Sequence, residues 1–277
     1  MRRILILCTI LFFCTTTVTP ALDVTLNGMD TSQDSTGPYI IRHYDYVLDG
    51  RQGIVPLALS TKLYEMYLEK KPNGYSDNES YFLTYLNDRD QNRYFEALGD
   101  EIRKKTDNPD DQARIAISLV QHLPYLQESP HRYPYEVLYD SSGVCCEKSI
   151  LLVALLRELG FKSSVMYFIP ENHMAVGISC PEPYDFKGSG YCLVQTTNAV
   201  IVTDDSRFRN YGENWSSPEI IQTSDGRSFE SVISEYSDAR TWIHLQSASK
   251  TARESGTMLS RADNIRWYQL QKKYDLN

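Results

Sequence analysis

From Ile150 to Leu159 the chain is a run of apolar residues and good helix formers, closed by Gly160 where a helix C-cap would stand. No other stretch limits the possible folds as much. A helix that is apolar on nearly every side is stable only when other elements cover it all round, so it belongs in the middle of a domain. Directly before it comes Ser142-Gly143-Val144-Cys145-Cys146-Glu147-Lys148-Ser149, which sets a cysteine pair at the helix N-terminus. The positive end of the helix favours a thiolate over a thiol. Two β-type segments follow: Glu171 to Ile178, with His173 near its start, and Tyr191 to Thr197, with Gln195 near its end. A cysteine on a helix N-terminus, a histidine opening a strand and a polar residue on the next strand are the parts of a thiolate–imidazole site.

Gly143-Val144-Cys145, followed by Lys148-Ser149-Ile150-Leu151-Leu152, resembles the Gly-x-Cys helix of the transglutaminase-like superfamily, papain-like cysteine enzymes with the order Cys, His, Asp. His173-Met174-Ala175-Val176 is similar to their histidine strand. Gln195-Thr196-Thr197 falls where they carry Asp-x-Thr or Glu-x-Thr. The resemblance implies an α+β fold with a papain-like transglutaminase core, its cysteine-bearing central helix packed on an antiparallel β-sheet. It also implies that Cys145, His173 and Gln195 are the catalytic residues of acyl transfer at an amide through a thioester. With water as acceptor this is a cysteine peptidase or amidase; with an amine it is a cross-linking transglutaminase. Hydrolysis needs no second substrate site and is the expectation for a solitary exported protein, acting on a protein or peptide. The competing reading is a non-catalytic module that binds a peptide or polymer in the same groove, and a third is a structural envelope protein. No cofactor is expected, since no acidic cluster resembles a calcium loop. No metal is expected either, because Cys145-Cys146 lacks the CxxC spacing of a zinc knuckle.

Cys145 matches the Gly-x-Cys position, whereas Cys146 would project about 100° round the helix. The bland alternative is a buried structural thiol. His173 is expected to take the thiol proton and return it to the leaving amine. The other histidines are His43, His122, His131 and His244; His122 reads as a helix flank and His131 as part of a Tyr/Pro-dense loop. Small residues on the side of His173, Ala175 and Gly177, are expected to let the cysteine helix approach. Gln195 can orient an imidazole but brings no charge, and Asn198 is the alternative orienter. The Cys145 backbone N–H is the expected first oxyanion donor; Tyr139, Gln121 and His122 are the alternatives for the second.

Composition bounds the partners. A formal charge of -8 argues against nucleic acid or anionic lipid. Met1-Arg2-Arg3 and the apolar run from Ile4 to Val18 read as a secretory signal cleaved after Ala21, or else as an N-terminal anchor. The protein is therefore expected to be secreted or extracytoplasmic, with no other membrane contact. Sequons at Asn78 and Asn214 are compatible with export. Outside the leader the cysteines are Cys145, Cys146, Cys180 and Cys192. Cys180 and Cys192 bracket a polar turn and form the natural disulfide, while a vicinal Cys145–Cys146 bridge would be strained. A regular hairpin with His173 directly opposite Gln195 cannot also set Cys180 directly opposite Cys192. The histidine pairing is the one expected to hold.

Along the rest of the chain, Asn27 to Gly37 is a polar lead-in. Tyr39 to Leu48 alternates as a strand, Asp49-Gly50 marks a hairpin turn, and Leu59 to Leu68 reads as a short helix. Lys70 to Glu79 reads as a loop. Tyr94 to Lys104 is amphipathic, and Asn108-Pro109 opens a further helix that Pro124 stops. Tyr125 to Tyr139 reads as a loop forming one wall of a substrate groove. Beyond Thr197, Ala199 to Val202 is a candidate strand extension, and helices are expected around Phe229 to Tyr236 and Ala262 to Tyr274. The expected division is a leader over 1–21, a strand/helix region over 22–90, a catalytic core over 91–203 and a helical extension over 204–277 packed on the core.

Overall fold

The computed structural model describes residues 37–70, 77–129, 131–206 and 216–276. The expected leader, most of the polar lead-in and the Asn214 sequon lie outside the described residues. The chain enters as a β-hairpin, β1 (Tyr39–Leu48) and β2 (Arg51–Ser60). Asp49 (φ 50°) and Gly50 (φ 75°) are both left-handed, the backbone that a tight two-residue hairpin turn requires. Four helices follow: α1 (Thr61–Glu69), α2 (Asn78–Leu86), α3 (Asn92–Arg103) and α4 (Pro109–His122). The last opens as its sequence demands, with Asn108 Oδ1 accepting from the Asp110 N–H at 3.0 Å. α2 begins within the stretch expected to be a loop; Asp77 caps it by accepting from the Ser80 N–H at 2.7 Å.

A second departure lies in the Tyr/Pro stretch, whose latter half is the helix α5 (Pro134–Asp140). Proline in a first helical turn costs nothing, and Glu136 Oε2 accepts from the Tyr133 N–H at 2.7 Å. Tyr133 and Tyr135 are buried against Tyr67, with ring centroids 4.7 and 5.6 Å apart. These tyrosines are core, not groove.

The apolar run is α6 (Cys145–Glu158), buried from Glu147 to Leu156, with Gly160 left-handed beyond its end. It packs on a four-stranded antiparallel sheet of order β5-β4-β3-β6, made by β3 (Ser163–Phe168), β4 (His173–Ser179), β5 (Tyr191–Val194) and β6 (Glu219–Ser224). The architecture is α+β, with the cysteine helix at its centre. Met174, Val176, Ile178, Cys192 and Val194 join α6 in the main core. Ala175, Tyr191 and Leu193 face the other way and form a smaller core with Met166, Phe168 and Phe186. Ala175 and Gly177 therefore do not admit the helix. A Cβ on Gly177 would lie 2.4 Å from Ser164 Oγ and 2.9 Å from Met166 Cε, on the face away from α6.

The β4–β5 ladder resolves the register conflict by a compromise. Ile178 pairs with Cys192 and Gly177 with Leu193, so His173–Gln195 and Cys180–Cys192 are both diagonal pairs, displaced in opposite senses. The direct opposition of His173 and Gln195 does not occur. The Cys180–Cys192 disulfide forms, and it is of the kind that persists outside a reducing cytosol. It closes a loop with a sequence separation of 12. Replacing both cysteines by serine should cost about 2–3 kcal/mol and lower the thermal midpoint by roughly 5–10 °C. A calorimetric shift below about 1 °C would show that the hairpin does not need the link.

After Val194 the ladder stops, short of the expected Thr197, and Ala199 to Val202 adds no strand. The carbonyls there are taken by buried side chains instead: Gln121 Nε2 donates to Gln195 O at 2.8 Å and to Val200 O at 2.9 Å. The chain ends in α7 (Ile233–Ser255) and α8 (Arg261–Tyr274). Phe229 and Val232 are buried ahead of α7 rather than within it. The two helices share a small core that includes Trp242, Leu245 and Leu270. They tie to the rest through Arg114 Nε and Glu235 (2.5 Å), His122 and Asp275 (3.0 Å), and the Gly50 N–H and Lys273 O (3.0 Å). Among the described residues no helix is long and apolar enough to cross a membrane.

Candidate active site

The N-terminus of α6 opens on a cleft of about 750 Å³ lined by Cys145, Cys146 and His173. Its walls include Tyr81 and Phe82 from α2, Tyr125, Gln127, Glu128, Ser129 and His131 from the loop before α5, and Tyr167 from β3. The first half of the Tyr/Pro stretch thus does form a groove wall, as its position implied. Gly143 sits among close side chains at the helix entry. A Cβ there would lie 3.2 Å from Glu147 Oε2, 3.2 Å from Lys148 Cγ and 3.3 Å from Val137 Cγ1. Its backbone also pairs with the groove wall, Gly143 N–H donating to Pro124 O and Leu126 N–H to Gly143 O, both at 3.1 Å.

No side chain caps the first residues of α6 by accepting from their N–H groups. Glu147 instead reaches back to the Val144 N–H at 3.1 Å. Its carboxylate is 1% exposed and is held by Arg132 Nη2 at 2.9 Å, the Arg132 N–H at 2.9 Å and the Ser129 hydroxyl. Burial alone would raise its pKa, but the Arg132 and Ser129 hydrogen bonds outweigh that and hold it below the usual carboxylate range. Arg132 also binds Asp140 at 2.6 Å and Ser142 O at 2.8 Å, so one guanidinium fixes the groove loop to the turn before Cys145.

The two cysteines differ. Burial, with the charges of Cys145 and Glu147 beside it, pushes the Cys146 thiol up to about 12. Cys146 is thus a thiol at any ordinary pH, packed partly against the core with its sulfur 3.7 Å from His131 Nδ1. Both cysteines are free, so no vicinal bridge forms.

His173 Nε2 lies 2.9 Å from Gln195 Oε1. An amide oxygen only accepts, so Nε2 is the donor of this bond, and in the neutral imidazole the lone pair is on Nδ1. Gln195 is 2% exposed, and its Nε2 has no hydrogen-bond partner among the described residues. Asn198, the alternative orienter, is exposed and accepts from Thr197 Oγ1 at 3.0 Å. His43 and His244 are exposed, and His122 is held by Ser118 and Asp275. The three residues weighed as second oxyanion donors do not line the cleft. Tyr139 stacks on Tyr64 at 3.9 Å, the Gln121 amide serves two carbonyls, and His122 is engaged as above.

Sequence reasoning missed what anchors the segment after β5. Ser149 Oγ lies 3.1 Å from Thr196 Oγ1 and 3.4 Å from Met174 O, joining α6 to β4 and to the segment after β5. Lys148, with no exposed surface, donates to Gln121 O, Leu123 O and Thr197 O at 3.3, 2.6 and 3.3 Å. A lysine directly before the apolar run from Ile150 was the available signal. Among the described residues no cluster of three or more His, Cys, Asp or Glu side chains is placed to hold a metal ion.

No curated protein matches the chain. Among solved structures, a similar chain is a candidate cysteine protease from Cytophaga hutchinsonii. It is 14% identical, with 68% of this chain and 68% of that chain covered and a TM-score of 0.30. The family model described as the transglutaminase-like superfamily matches residues 96–246, a span running from α3 into α7 that contains Cys145, His173 and Gln195. With more than half its length accounted for in this way, the chain belongs to the transglutaminase-like superfamily.

Proposed function

We propose that the protein is an exported thiol enzyme that transfers or hydrolyses acyl groups at amide bonds of a protein or peptide. The observation that carries this reading is the His173–Gln195 hydrogen bond at the edge of a cleft that Cys145 also lines. The bond holds the imidazole in the tautomer whose Nδ1 can accept the Cys145 proton. The thiolate attacks the amide carbonyl, the uncapped N–H at the start of α6 stabilises the oxyanion, and the imidazolium protonates the leaving amine. Water assisted by His173 then cleaves the thioester, or an amine does so to give a cross-link. Gln195 orients the imidazole without a charge, so the ion pair rests more on the helix terminus than it would beside a carboxylate.

An unfolded acceptor protein incubated with a fluorescent primary amine separates these outcomes. Hydrolysis releases new peptide termini, and transfer attaches the amine. Gln195→Ala should lower whichever rate is seen by about 100-fold, and Gln195→Asp should retain it. Absence of both products, with Cys145 inert to alkylation, would leave the groove as a binding site only.

A further inference from the structure

Lys148 is a lysine with no exposed surface, on the second turn of α6, and no carboxylate pairs with it among the described residues. An ammonium has three N–H donors, and this one meets the carbonyls of Gln121, Leu123 and Thr197. Two of these belong to the end of α4 and one to the segment that follows Gln195. The hydrogen-bonding need of the group is met, but its charge is not neutralised. Burying an unpaired cation is costly even when its donors are satisfied, so its presence calls for a role. One helical turn away stands Cys145.

Resting on the acyl-transfer reading above, we propose that Lys148 is a positioning residue of the site. Its ammonium fixes the segment carrying Gln195 against α6, and its charge, added to that of the helix terminus, favours the Cys145 thiolate. Gln121 acts in the same clamp: its backbone carbonyl accepts from Lys148 while its side chain holds Gln195 O and Val200 O. Nearby titratable groups do not cancel the charge. Glu147 on the same helix is turned to Arg132, Cys146 stays a thiol, and His122 on α4 is turned to Ser118 and Asp275. On α5, which also packs on α6, Glu136 accepts from the Tyr133 N–H and Asp140 pairs with Arg132. Burial pushes the Lys148 ammonium down to about 8, so the charge is present through neutral pH and below and is lost in alkali.

The test is the rate of Cys145 labelling by iodoacetamide, read by mass spectrometry at pH 6 and pH 10, in the native protein and in Lys148→Met, Lys148→Gln and Lys148→Arg. The two neutral variants should label about tenfold more slowly at pH 6. They should match the native rate at pH 10, where the thiolate is abundant in every form. A purely structural role would shift the rates at both pH values. Lys148→Gln keeps a donor for the carbonyls and so separates charge from tether, and Lys148→Arg should recover most of the pH 6 rate. Neutral variants that label as fast as native at pH 6 would overturn the inference. So would neutral variants that both fail to fold while Lys148→Arg folds, since the charge would then serve folding alone. If native Cys145 labels no faster than N-acetylcysteine at pH 6, the acyl-transfer reading itself falls, whatever Lys148 does.

Discussion

Cys145→Ala is expected to lose at least about a thousandfold in turnover while keeping its fold, and Cys146→Ala to stay within a few-fold of native. The asymmetry follows from the two environments. Cys146 is pushed up to about 12 by burial and by the charges of Cys145 and Glu147, so its sulfur is not a nucleophile at neutral pH. Cys145 stands one residue nearer the helix terminus and shares its cleft with His173. Alanine in place of either thiol keeps good helix propensity at the start of α6. Circular dichroism and the thermal midpoint should therefore change little in either variant. Equal losses of turnover would contradict the assignment, because they would mean that the cysteine pair acts through packing.

Arg132→Met should be the most destabilising single change near the site, by about 3–5 kcal/mol, because it strands a buried carboxylate. Glu147 is 1% exposed, and Arg132 supplies it with both backbone and side-chain donors. Asp140 and Ser142 O lose the same guanidinium. Glu147→Gln together with Arg132→Met should recover part of the loss, since a neutral amide tolerates burial better than a charge. The pair also sets a pH dependence. Glu147 titrates below the usual carboxylate range in the folded protein, its Arg132 and Ser129 hydrogen bonds outweighing burial. Its unfolded form therefore binds protons first as pH falls. The stabilisation is complete above about pH 5 and is lost as pH drops through the depressed folded value. Denaturant midpoints from pH 7 down to pH 3 should fall more steeply in the native protein than in Arg132→Met. Parallel curves would show that Glu147 is not held as described.

The fold was legible wherever one local pattern decided the outcome. An all-round apolar stretch ending in glycine left α6 no place but the centre, and Asn108-Pro109 fixed the start of α4 to the residue. The hairpin at Asp49-Gly50 followed from the only backbone that two such residues share in a tight turn. What escaped depended on partners distant in sequence. α5 hides behind Pro134, because its tyrosines become core only once Tyr67 and Tyr94 are beside them. β5 stops at Val194 because Gln121 and Lys148 take the carbonyls that a longer ladder would have used. The face of β4 that receives α6 was misread for a similar reason. Small residues at 175 and 177 invite a close neighbour, but that neighbour is β3 with Met166 and Ser164. Cys145, His173 and Gln195 are proposed as site residues from motif order, whereas the contacts that Lys148, Ser149 and Gln121 make around them are visible only in three dimensions.

The most direct measurement is the pH dependence of Cys145 alkylation in the native protein and in His173→Ala. An imidazole that takes the thiol proton makes the native sulfur react rapidly at pH 6 and makes that reactivity vanish with the histidine. The account predicts a loss of roughly tenfold or more at that pH, with the two proteins converging in alkali. Identical curves for the two proteins would mean that His173 does not act on Cys145.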